Sequence, residues 1–282
     1  MKERNYLSLD EIKALEIDIL RHFVAYCEKH SLNYMLYAGT LLGAIRHKGM
    51  IPWDDDVDVA MPRPDYERFL ALTKQESVAP HLKFYDCREE GAYWVPVPKL
   101  VDERTEGREI YQGRGVHNGV WIDIFPMDGV PEDDAKREKL YEEIRREKLI
   151  ITLQTTPFIF TKNPVKFLKR LVAYPAYLVG QFMNHKKHAL KIHALAESEP
   201  YETAKDLTIL TDNVYDSGRM TKEEAADTML VPFEDLEARV PRCYDRYLTA
   251  IYGDYMTPPP VESQVGRHHF LCWYKEGETP EK

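Results

Sequence analysis

The sequence predicts a mixed α/β fold: a mixed β-sheet core flanked by helices, with a helical insertion. Three observations predict it. Val57, Val59 and Met61 alternate with Asp56, Asp58 and Ala60, the period-two pattern of a strand. The runs "KFYDC", "YWVPVPKLVD" and "GVWIDIFPMD", between residues 82 and 125, are short and strand-like, separated by Gly, Pro and charged residues. From Pro131 to about Glu199 the pattern is helical. The core is therefore expected over 1–130 and 206–282, and the insertion over 131–205.

The elements follow in order. Ser8-Leu9-Asp10-Glu11 has the form of a capping box, and Ile12, Leu15, Ile19, Phe23 and Tyr26 follow at helical spacing. Asn33–Leu36 leads into Tyr37-Ala38-Gly39-Thr40, read as a short strand ending at a glycine turn. "TLLGAIRHKG" then reads as a short helix closed near Gly49. After the strand around Val57–Met61, "RPDYERFLALTK" is a helix with proline in its first turn. Beyond the β-rich segment, "DDAKREKLYEEIRREKLII" is charged and periodic, and a basic, apolar helix succeeds it. The remainder from Leu207 mixes short elements, with turn signals at "YGDY" and "TPPP".

With 282 residues, 44% hydrophobic and 30% charged, the chain can bury a sizeable core. A net charge of −9 excludes an overall basic footprint for nucleic acid. Cys27, Cys87, Cys243 and Cys272 form no CxxC pair, and Met1–Asp10 is polar, without a signal-peptide pattern. Reduced cysteines in a cytoplasmic protein are expected. The longest apolar stretch, Leu171–Met183, is too short to span a bilayer and contains Pro175. Basic residues flank it: Lys166, Lys169 and Arg170 before, His185, Lys186 and Lys187 after. That pattern fits a core helix with solvated ends, the commoner case, or a helix lying against the inner face of a membrane.

The chemistry concentrates in "WDDDVDV". On a strand, Asp56 and Asp58 would project from the same face, roughly 6.5–7 Å apart at Cα. Two such carboxylates repel unless a cation lies between them, and hard oxygen ligands favour Mg²⁺ or Mn²⁺. Upstream, Gly39-Thr40 opens a helix carrying Gly43 and Arg46, and backbone N–H groups at a helix start hold phosphate. Asp123 lies among Val120, Trp121, Ile122, Ile124 and Phe125. A lone carboxylate there is costly unless paired or metal-bound. Asp128, beside a glycine, reads as a turn former. Three carboxylates around divalent metal beside a phosphate cradle suit phosphoryl transfer.

The segment "YAGTLLGAIRHKGMIPWDDDVDVAMPRPDYERF" resembles the signature of the LicD family of phosphotransferases. These are relatives of fukutin and fukutin-related protein in the nucleotidyltransferase-fold superfamily. "VPKLVDERT", "GVWIDIFPMDGVPED" and "VPFEDLEARVPRCYDRYLTAIYGDYMTPPP" match the family's pattern in order. The resemblance implies a nucleotidyltransferase-like core. It also implies transfer of a phosphorylated small alcohol from a CDP-activated donor to a glycan hydroxyl, with release of CMP. CDP-choline is the first expectation, with phosphoethanolamine, phosphoglycerol and phosphoribitol as alternatives. The acceptor would be a lipopolysaccharide, teichoic acid or capsule sugar, free or lipid-linked. The family pattern is Gly-Gly/Ser, then DxD, then a third acid. Gly39-Thr40 stands at the first position, Asp56 and Asp58 match the DxD, and Asp123 the third acid. No counterpart of the cysteine cluster of fukutin-related protein is present, which points to the bacterial branch.

From these residues Asp56, Asp58 and Asp123 are expected to hold Mg²⁺, with Asp123 also a base for the acceptor hydroxyl. Asp54 and Asp55 would set the turn or support the ligands. Gly39 and Thr40 would contact donor phosphate, and Arg46, His47, Lys48 and Lys99 would neutralise the leaving group. Trp53, Tyr93, Trp94 and Trp121 are candidates to cage a quaternary ammonium, although each aromatic fits a core position as well. Arg267, His268 and His269 either fold over the site or lie on the surface. Two other activities fit the same acids: a nucleotidyltransferase proper, which would release pyrophosphate, and a metal-dependent carbohydrate-binding protein without turnover.

Overall fold

The computed structural model describes residues 5–91, 93–109, 119–155, 164–180, 182–212, 215–266 and 270–278. Helix α1 (Leu9–His30) opens with the expected capping box: Ser8 accepts from the Glu11 amide, and Glu11 accepts from the Ser8 amide. Its Ile19, Leu20, Phe23 and Cys27 are buried against the sheet. Strand β1 (Met35–Leu36) and helix α2 (Ala38–Arg46) follow. The strand expected to run into the Gly39 turn therefore stops at Leu36, and Gly39 and Thr40 lie in the first turn of α2. Then come β2 (Asp58–Pro62), α3 (Arg63–Thr73), β3 (Leu82–Tyr85), β4 (Lys99–Asp102), β5 (Thr105–Glu109) and β6 (Val120–Val130).

The insertion segment carries α4 (Asp134–Thr155), α5 (Pro164–Gly180) and α6 (His185–Ala196). The remainder forms β7 (Asp206–Thr208), β8 (Met220–Thr221), α7 (Lys222–Ala226), β9 (Thr228–Phe233), β10 (Leu236–Pro241), α8 (Tyr244–Tyr252) and β11 (Phe270–Tyr274). All four cysteines are free.

The main sheet has the order β1-β2-β6-β4-β3, and β7 and β8 extend from the far end of β6. Only the β2–β6 pairing is parallel within this sheet; its neighbours pair antiparallel. This is the mixed α/β architecture the sequence predicts. Strand β6 is buried along all 11 residues, consistent with its near-continuous apolar run. Asp128 is not a turn former: it lies inside β6, where Arg63 grips it with Nε at 2.6 Å and Nη2 at 2.8 Å. Burial raises its carboxyl to about 6, with Arg63 opposing the shift.

A second apolar cluster joins the insertion to the core. Leu140, Tyr141, Ile144, Ala189 and Ile192 pack there with Cys87, Tyr93, Trp94, Leu210 and Tyr215. His193 of α6 pins this contact by donating from Nε2 to the Pro96 carbonyl at 2.9 Å. One segment departs from its expected burial. Helix α5 is not a core helix: Val165, Leu168, Val172 and Val179 are each at least 60% exposed.

Candidate active site

The site is set by register. In the parallel β2–β6 pair Asp58 stands opposite Asp123, and in the antiparallel β4–β6 pair Lys99 stands opposite the same Asp123. Three charged residues from three adjacent strands thus meet in one row across the sheet. Lys99 Nζ donates to Asp123 Oδ1 at 2.6 Å, and Trp121 Nε1 donates to Oδ2 at 3.2 Å. The Lys99 ammonium also lies 4.0 Å from the Trp121 ring centroid, a cation–π contact. Asp123 is therefore buried, oriented and charge-compensated.

Among the described residues no cation pairs with Asp58 in this way. Its amide donates to Thr40 Oγ1 at 2.8 Å and its carbonyl accepts from the Tyr37 amide at 3.0 Å, so α2 and β1 fix its backbone. Burial, then Asp56, Asp123 and Asp212, push its carboxyl well above the ordinary range. Asp123 is pushed up by burial while Lys99 opposes the shift.

The acidic run precedes this row. Strand β2 starts at Asp58, so Asp56 belongs to the approach segment and not to the strand. Carboxylate oxygens of Asp54, Asp55 and Asp56 all lie within 4.8 Å of one another. Their approach is clamped from two sides. Lys13 Nζ donates to the Ile51 and Pro52 carbonyls, each at 2.8 Å. On the other side Glu234, at the β9–β10 turn, donates its amide to the Lys48 carbonyl and accepts from the Met50 amide, both at 2.8 Å. A Cβ on Gly39 would lie 2.8 Å from Asp54 Oδ2, so α2 and the acidic run approach each other closely there. Gly266 touches the same run from the tail, with its Cβ position 2.8 Å from Asp55 Oδ2. Arg267, His268 and His269, expected near the site, lie outside the described residues.

The basic and aromatic candidates separate. Thr40 is buried, and its hydroxyl serves the Asp58 amide. Arg46 donates to the Tyr255 carbonyl at 2.7 Å and to His47 Nε2 at 2.9 Å, and sits 5.9 Å from the Trp53 ring centroid. Lys48 is exposed and donates to the Ile45 carbonyl. Lys99 is committed to Asp123. Trp53 packs edge-on to His47, Trp94 lies in the insertion cluster beside His185, and Trp121 serves Asp123. Tyr93 donates its hydroxyl to the Val97 carbonyl. The four aromatics do not gather into one cage.

Five further residues join the site without a signal in the sequence. Tyr37 donates its hydroxyl to Asp212 Oδ2 at 2.8 Å, and Tyr247 lies 6.3 Å from Tyr37, centroid to centroid. Lys148, reaching in from α4, donates to the Asp212 carbonyl, and burial lowers its ammonium to about 8. Glu16 of α1 is 3% exposed, its Oε2 has no hydrogen-bond partner, and burial and the acidic run raise its carboxyl well above the usual range.

Asp54, Asp55 and Asp56 thus bring together an all-oxygen donor set just before Asp58, whose own carboxyl is raised by burial first and then by Asp56 and Asp123. This set fits a hard divalent cation such as Mg²⁺. Beside it, no side chain caps the start of α2, which leaves first-turn N–H groups for an anion. A cavity of about 630 Å³ opens elsewhere, between α3 and β3, lined by Leu70, Lys74, Val78, Tyr85 and Glu89 among others. It shares no residue with the acidic row.

A family profile described as "LicD/FKTN/FKRP, nucleotidyltransferase domain" matches residues 31–176. Over 264 residues the chain is 32% identical to the lipopolysaccharide cholinephosphotransferase LicD of Haemophilus influenzae, covering 93% of this chain and 96% of that protein. Over 115 residues it is 29% identical to the ribitol 5-phosphate transferase FKRP of Homo sapiens and of Mus musculus, covering 41% of this chain and 21% of those proteins.

Proposed function

The chain belongs to the LicD/FKTN/FKRP nucleotidyltransferase family, and on that premise we propose that it is a phosphotransferase acting on a cell-surface glycan. Its donor is a CDP-activated alcohol, CDP-choline first, and its acceptor a sugar hydroxyl of a lipopolysaccharide or related glycan precursor. The observation that carries the reading is the row Asp58–Asp123–Lys99, set by strand register within a chain similar to a cholinephosphotransferase over nearly its full length. Choline rests on that relative alone, because the tryptophans form no common cage.

In this reading Asp56 and Asp58 hold Mg²⁺, with Asp123 completing the site. Mg²⁺ held by these residues would supply positive charge against the donor diphosphate and the charge developing during transfer. First-turn N–H groups of α2 bind donor phosphate oxygens. Asp123 takes the proton of the acceptor hydroxyl; burial raises its carboxyl, and Lys99 opposes that rise in favour of the ionised form a base requires. The acceptor oxygen then bonds to the phosphorus bearing the alcohol, the bond from that phosphorus to the CMP oxygen breaks, and CMP leaves. Trp121 and Lys99 hold the Asp123 carboxylate in one orientation during the transfer.

The test is Asp56→Asn with Asp58→Asn, assayed for CMP release from CDP-choline with a sugar acceptor. Full activity in that variant overturns the metal assignment. Free pyrophosphate and a nucleotidylated acceptor in the wild-type reaction would show nucleotidyl transfer instead.

A further inference from the structure

Helix α5 carries Val165, Leu168, Val172, Pro175, Val179 and, just past its end, Phe182 at steps of three and four residues, which places them on one face. That face is solvent-exposed: Val165 is 62% exposed, Leu168 60%, Val172 74%, Val179 61% and Phe182 93%. Another side of α5 packs on α4. Apolar stripes of globular helices ordinarily face the core, and contiguous exposed ones mark an interaction surface. The charge around this stripe is equally distinctive. From Ile151 to Ala196 the chain has no Asp or Glu and seven Lys and Arg, within a protein of net charge −9. Lys169 of α5 and Lys187 of α6 are exposed. No helix among the described residues is long and apolar enough to cross a membrane.

We propose that α5 lies in the plane of an anionic phospholipid surface, its apolar face seated among acyl chains and its basic flanks on headgroup phosphates. An anionic lipid surface accounts for the stripe and the basic flanks together. A second copy packed α5 on α5 would cover the stripe but would set basic flank against basic flank, since residues 151–196 hold no Asp or Glu.

Flotation of the full chain with phosphatidylcholine vesicles, with and without phosphatidylglycerol, tests this without substrate, so it can fail while the transferase reading stands. The expected result is flotation with anionic vesicles, weakened by salt and by omission of phosphatidylglycerol. Val172→Asp with Phe182→Asp should lower the bound fraction at least about tenfold, with an unchanged thermal midpoint, because both positions are exposed. Lys169→Glu with Lys187→Glu should also lower it. No flotation, equal flotation of wild type and Val172→Asp/Phe182→Asp, or indifference to phosphatidylglycerol would each overturn the proposal. So would a concentration-dependent dimer that the aspartate variant abolishes while vesicles remain unbound.

Discussion

The row of charges on β2, β6 and β4 and the apolar face of α5 depart from ordinary folding in opposite directions. At the sheet, Asp123 is buried and Asp58 half-buried beside further carboxylates, where burial and like charge disfavour ionisation. On α5, valines and leucines that burial would favour are left in water. Each arrangement suits the partner proposed for it. A row of carboxylates beside an acidic run suits a cation, and an apolar face with basic flanks suits an anionic, apolar-backed surface. The two regions also differ in what holds them. The first is fixed by strand register and buried hydrogen bonds, and the second by a single helix packed on α4.

The comparison breaks first at Asp58. Asp58→Asn removes a carboxylate that its neighbours disfavour, so stability at neutral pH should hold or rise. CMP release should fall at least about a thousandfold, about 4 kcal/mol of barrier. Paired melting and turnover assays check this; a loss of both together would mean that Asp58 serves the fold. Lys99→Met should act the other way. It leaves Asp123 buried without its cation, at a cost of about 3–5 kcal/mol visible in denaturant unfolding.

A third prediction concerns the contact between insertion and core. Burial lowers His193 to about 4, below its ordinary value near 6.5, and its Nε2 donation to Pro96 fits a neutral ring. Between these values the unfolded chain binds the proton and the folded chain does not. His193 should therefore contribute a loss of stability as pH drops from about 6.5 to about 4, against an opposite contribution from Asp128 below about 6. His193→Gln should flatten that part of a melting-against-pH profile. The smallest effect belongs to α5: Val172→Asp alone should change unfolding free energy by no more than about 0.5 kcal/mol, because the position is already in water.

These contrasts also explain what the sequence disclosed. Asp123 stands out because five apolar neighbours flank it, and burial follows from that. The alternation around Val57 shows a strand, but it extends the pattern to Asp56, whereas pairing with β1 and β6 begins the strand at Asp58. Lys99 could be found as a basic residue but not as the partner of Asp123, since that pairing depends on the β4–β6 register. Asp212, Lys148 and Glu16 reach the site through tertiary packing from separate elements, and no local spacing encodes such approaches. The periodicity of α5 shows an apolar face but cannot say whether the chain covers it. The fold class was legible because strand and helix periods differ over long segments.

The parallel pairing of β2 with β6 has a consequence for how this chain can vary. Point substitutions alter one group at a time, but an inserted or deleted residue at Val59 or Ala60 shifts alternation itself. Either Asp58 keeps its place and Met61 turns out of the core, or Met61 stays and Asp58 turns from Asp123. The spacing from Asp58 to Met61 is thus under the same constraint as the carboxylates themselves. In a deletion scan, this stretch should be silent to no change in length, even where it accepts a change in side chain.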